Sequence, residues 1–124
     1  RTIYAFLGNP KESVNFLELP TVTGPGAIPI TVPFCIINTT GADAFTLADG
    51  EDGQVLAIGM ATDGGDGTVT ATTSTFTTLT FNDVGDTVAL KFLNGVGWLP
   101  TSNLGVTMLN RFTQRAFGLS NKII

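Results

Sequence analysis

The residues with the most chemical potential are carboxylates gathered in three glycine-rich stretches: Asp49-Gly-Glu-Asp-Gly53, Asp63-Gly-Gly-Asp-Gly67 and Asp83-Val-Gly-Asp86. Clustered carboxylates suit a hard cation, since calcium takes about six to eight oxygen ligands at roughly 2.3–2.6 Å. The spacing argues against a metal. No glutamate stands at the offset a twelve-residue calcium loop needs, and no glycine-rich nonapeptide repeats. Aspartate and glycine are also the residues that tight turns require, which is the preferred reading. Two acids about 5–9 Å apart could hydrolyse glycosides, but Glu12, Glu18 and Glu51 are the only glutamates. A small sandwich without a long loop leaves little room for a cleft. No catalytic residue, cofactor or metal ligand is assigned, and an enzyme is not expected.

Other candidates fall in the same way. Without histidine there is no Ser-His-Asp or Cys-His nucleophile and no imidazole base. One cysteine excludes the usual zinc, haem and iron–sulfur ligand sets, as well as an internal disulfide. Cys35 lies in Phe34-Cys-Ile-Ile37 with no cation near it in sequence, so a buried, unreactive thiol is expected. Stacking on sugar rings would need an aromatic platform, but the chain has one tyrosine, Tyr4, and one tryptophan, Trp98. Trp98 is expected in the core.

Composition narrows the partners. Charged residues are 13% of the 124, against roughly 25% in an average soluble protein. Twenty threonines stand in their place, a β-branched residue that favours strands. The net charge of −4 and pI of about 4.4 argue against nucleic acid, which calls for a basic stripe. No apolar run approaches the roughly 20 residues that would span a bilayer as a helix, so no membrane partner is expected. The chain begins at Arg1 rather than methionine, as a processed or trimmed product would, and no signal peptide is visible.

The elements that must position these residues read as strands. Residues 2–7, 13–19, 30–38 and 44–48 are short apolar or alternating runs. Pro33 suggests that the third is an edge or bulged strand, and residues 20–29, with three prolines and two glycines, read as an irregular connection. Residues 54–62 form an apolar run whose Gly59, Val55 and Ile58 favour a buried strand. Val69 and Ala71, then Leu79 and Phe81, then Val88, Leu90 and Phe92 alternate inward, with Lys91 outward. Asn94-Gly95 signals a hairpin, and Trp98-Leu99 and 106–109 supply the last two strands. Eight to ten strands at roughly 8–12-residue spacing predict one all-β domain over 1–124, an antiparallel β-sandwich or jelly-roll-like barrel with extended terminal arms. No helix is expected; the best candidate, 110–119, is short and contains Gly118.

The ends differ from the body. Between Lys11 and Lys91 there is no lysine or arginine, and eight of the ten acids lie between Asp43 and Asp86. Residues 1–12 and 110–124 read as arms. The second joins Arg111, Arg115 and Lys122 to Phe112, Phe117, Leu119, Ile123 and Ile124. A basic, apolar arm on an acidic body suggests a partner surface. Arg111, Phe112, Arg115, Phe117, Ile123 and Ile124 are the expected partner contacts, and folding of the arm back onto its own sandwich is the alternative.

From Phe34 onward the succession of features resembles small β-rich modules of bacteriophage virions. It runs through Phe34-Cys-Ile-Ile-Asn-Thr-Thr-Gly41, Asp52-Gly-Gln-Val-Leu-Ala-Ile58, Thr78-Leu-Thr-Phe81, Val84-Gly-Asp-Thr-Val-Ala-Leu90, Asn94-Gly-Val-Gly-Trp98 and Ser102-Asn-Leu-Gly-Val106. The span from Phe34 to Val106 is about 60% of the chain and leaves out its first 33 residues. The resemblance is to head decoration (cement) proteins, head fibres and tail-fibre tips. It implies a homotrimeric structural protein on the outer capsid surface of a virion, bridging major capsid protein subunits, without cofactor or catalytic residue. A receptor- or glycan-binding fibre tip, using loops 49–53, 63–67 and 94–97, is the alternative; a small glycosidase using Glu12, Glu18 or aspartates stands third.

Overall fold

The computed structural model describes residues 19–110, apart from the Asn110 side chain. They form ten strands: β1 (Thr21–Thr23), β2 (Gly26–Ala27), β3 (Phe34–Asn38), β4 (Asp43–Leu47), β5 (Val55–Thr62), β6 (Gly67–Ala71), β7 (Phe76–Phe81), β8 (Thr87–Leu93), β9 (Gly97–Leu104) and β10 (Thr107–Asn110). The described residues contain no helix. The strands make two five-stranded sheets, ordered β1-β3-β5-β8-β9 and β10-β7-β6-β4-β2. The all-β, sandwich-like architecture is the one the sequence predicts. The readings over 2–7, most of 13–19 and most of 110–119, the whole arm 1–12 and all of the arm 110–124 but Asn110 lie outside the described residues.

The strand pairing departs from the antiparallel expectation in the first half. β1 pairs with β3 and β3 with β5 in parallel, and so do β2 with β4 and β4 with β6. Each connection from β1 to β6 carries the chain across to the opposite sheet, so same-sheet neighbours are two strands apart in sequence and run the same way. The crossover that parallel strands require is here a strand of the facing sheet. After β6 the chain turns back: β6–β7, β5–β8, β8–β9 and β7–β10 are all antiparallel. A period of two identifies the buried face of a strand but says nothing of its direction, which is why alternation alone could not find the winding.

Two local expectations are corrected. The strand foreseen over 30–38 starts only at Phe34. β3 is paired on both sides, so Pro33 marks a strand start and not an edge, and its carbonyl accepts a hydrogen bond from Ala57 N at 2.8 Å. Residues 20–29 are not wholly irregular, because they hold β1 and β2.

One core lies between the sheets. Cys35 and Ile37, Leu56, Ile58 and Met60, and Val88, Leu90 and Phe92 enter it from the first sheet; Phe45 and Leu47, Val69 and Ala71, and Leu79 and Phe81 enter from the second. Trp98 is fully buried and meets Phe92 edge-to-face, with ring centroids 5.2 Å apart. The two outward faces differ in kind. The second sheet turns out Thr46, Thr68, Thr70, Thr78, Thr80 and Thr107 with Ala44 and Leu109 among them, whereas the first turns out half-buried Phe34, Ile36, Ala57, Ala89, Leu93 and Leu99 with Thr21, Thr87, Ser102 and Lys91 among them.

Candidate functional site

The alternating winding sorts the connections to two ends. The turns after β1, β3, β5, β7 and β9 meet at one end, which holds Asp43, Asp63, Asp66, Asp83 and Asp86. The turns after β2, β4, β6 and β8 meet at the other, with Asp49, Glu51 and Asp52. The described chain also starts, at Leu19, and stops, at Asn110, at this second end.

Several of the acidic-turn carboxylates are already engaged as structural staples. Asp86 is buried, and its Oδ2 accepts from Asn82 N at 2.8 Å and Asp83 N at 3.0 Å. A Cβ at Gly105 would fall 2.2 Å from Asp86 Oδ1, so the β9–β10 turn closes over this carboxylate only because Gly105 has no side chain. Asp43 Oδ2 accepts from Thr40 N at 2.9 Å, and Asp52 Oδ1 accepts from Asn94 N at 2.8 Å. Each bond satisfies a turn N–H that would otherwise lack a partner. Among the described residues no group of three or more Asp, Glu or Cys side chains is placed to hold a metal.

Thr39 was not singled out from the sequence, yet it organises the first of these ends. Its Oγ1 accepts from Gly64 N at 2.9 Å and Gly65 N at 3.2 Å and donates to Gly65 O at 2.7 Å. The β5–β6 turn thereby docks backbone-to-backbone on the β3–β4 turn. A Cβ on Gly64 would meet Thr39 O at 2.4 Å, and one on Gly65 would meet Gly41 C at 2.5 Å. The signal was Gly64-Gly65 itself, read as generic turn material when its purpose is close approach.

The aromatic and thiol candidates are buried. Trp98 Nε1 donates to Ala48 O at 2.8 Å, and Gly50 packs against its ring. Of the described phenylalanines only Phe34 lies outside the buried class, at intermediate exposure, so no sugar-stacking platform forms among the described residues. Cys35 is buried, and desolvation pushes its thiol pKa up. Glu51, the one described glutamate, is exposed on a loop. Tyr4, Glu12, Glu18 and the expected contacts Arg111, Phe112, Arg115, Phe117, Ile123 and Ile124 lie outside the described residues.

One concavity stands out, an open groove of about 890 Å³ at the end where the described chain starts and stops. One wall is Ile30–Pro33, between β2 and β3; the other is Asp49–Val55, between β4 and β5. Gln54 ties the walls together: its Nε2 donates to Ile30 O and its Oε1 accepts from Glu51 N at 2.8 Å. Ile30, Val32 and Val55 give the groove apolar surface, and Asp49 and Glu51 give it negative charge. The chain matches no protein-family model and no curated protein.

Proposed function

We propose that this protein is a structural module of a bacteriophage virion, a capsid decoration protein that stands on the shell and bridges major capsid subunits. The observation that carries the reading is the polarity of the sandwich. Both ends of the described chain lie at one end, and five of the eight described acids lie at the other. A module anchored by its terminal end would present the acidic turns away from the shell. The outward faces, one of threonine and one largely apolar, carry almost no charge, which favours packing against copies of the same chain, and a closed homotrimer would cover the edge strands. The sequence resemblance to phage modules points the same way.

Virions carrying this chain, imaged with a gold-labelled antibody against it, test the reading. Label spread regularly over the head supports it. Label confined to tail or fibre tips replaces it with the receptor-binding alternative, and unlabelled virions overturn both.

A further inference from the structure

The groove between Ile30–Pro33 and Asp49–Val55 is lined by apolar Ile30, Val32 and Val55 and by acidic Asp49 and Glu51, with no lysine or arginine among its lining residues. The one described lysine, Lys91, is paired opposite Val55 on the neighbouring strand. Over residues 19–110 the imbalance is larger, with eight acids and that one lysine. The missing positive charge lies just beyond β10, where residues 111–124 hold Arg111, Arg115 and Lys122, no acid, and bulky apolar side chains. β10 ends at the groove's end of the sandwich, three strand positions from β4 in the same sheet, or about 14 Å at roughly 4.8 Å per strand. Fourteen residues reach up to about 46 Å when extended, so five or six suffice to cross and the remainder is free to lie in the groove. Attachment to the same chain gives the segment an effective concentration of order millimolar, which even weak contacts convert to occupancy.

We propose that residues 111–124 dock in this groove of their own chain, with Phe117 and Leu119 on Ile30, Val32 and Val55 and the arm's cations against Asp49 and Glu51. Docking covers apolar surface on both partners and neutralises the two acids. It holds whether or not the protein belongs to a virion.

The full chain carrying Ser120→Cys, spin-labelled at the new thiol while Cys35 stays buried, tests this by nuclear magnetic resonance. Methyl signals of Ile30, Val32 and Val55 are expected to lose most of their intensity, while Val84 and Leu104 at the far end keep theirs. Asp49→Lys combined with Glu51→Lys is expected to lower the docked population roughly two- to tenfold, with the far-end Val84 and Leu104 methyl signals unchanged as a check on folding. Retained groove signals in the labelled chain overturn the proposal. So does undiminished broadening after the charge reversal, or broadening that passes to unlabelled copies in a mixed sample, which would place the arm on a neighbour instead.

Discussion

Residues 19–71 and 72–110 share one core but reach it by different routes. The first part is wound, passing from sheet to sheet at every connection and pairing in parallel; the second folds back on itself in antiparallel pairs. In the wound part, partners are distant in sequence, as in Cys35↔Ile58 and Asp43↔Gly67. Its stability therefore depends on turns from different coils seating on one another, as Gly64 and Gly65 do on Thr39. In the folded-back part a turn such as Asn94–Val96 places β8 beside β9 directly. The same alternation of apolar and polar residues therefore serves two topologies, and close-approach glycines occur in both, at Gly64 and Gly65 in the first part and at Gly97 and Gly105 in the second. Parallel, non-local pairing also folds more slowly than local hairpins.

The largest test is whether the two parts are one cooperative unit. Trp98 belongs to β9 but donates to Ala48 O and packs under Gly50, both in the wound part. Trp98→Ala is expected to cost about 3–5 kcal/mol in urea unfolding, as a single transition. A residual transition, with amide protection surviving over β3–β6 alone, would divide the protein into two units.

Next come matched glycine substitutions. In Gly65→Ala the new Cβ meets the Gly41 backbone at 2.5 Å, so the coils must separate, at an expected cost of about 2–3 kcal/mol. In Gly95→Ala nothing lies within 4 Å, and only the φ of 83° is unfavourable, at about 1 kcal/mol. Equal costs would show that loop seating contributes nothing special. Between these values falls Thr39→Val, about 2 kcal/mol, because it strands the Gly65 N–H and C=O at a buried hydroxyl's place. Thr39→Ser keeps the hydroxyl and should recover most of the loss.

The same physics decides which parts of the fold are legible in the sequence. The faces of β6, β7 and β8 were readable from Val69, Leu79 and Val88, because burial on one face imposes a period of two. The hairpin at Asn94-Gly95 was readable as a hairpin, but its loop has three residues, and Gly97, at φ 95°, lets the backbone descend on Thr73. The parallel winding was not readable, since strand direction depends on where a turn lands and not on which side chains it contains. The acidic turns read as turn material and not as a metal site, but which carboxylates staple a turn was not readable. Asp43, Asp52 and Asp86 bind turn N–H groups, and a carboxylate engaged that way has the same sequence signature as a free one. The groove was hidden because its walls come from two connections about twenty residues apart, joined by Gln54.

The smallest expected effect lies on the threonine face. Thr70 in β6 is exposed and paired opposite Thr46 of β4. Valine has the same branching at Cβ and a similar strand preference, and the hydroxyl it replaces is open to water. Thr70→Val should therefore change the stability of the isolated chain by no more than about 0.5 kcal/mol, measured by the urea midpoint at low protein concentration. A homotrimer that buries this face would respond differently, because its stability is linked to subunit concentration. The midpoint of the wild-type chain would then rise with concentration, and that of Thr70→Val would rise by a different amount. If both midpoints rise by the same amount, the copies meet on the other sheet's outward face instead; if both stay fixed across concentrations, no homotrimer forms through either face.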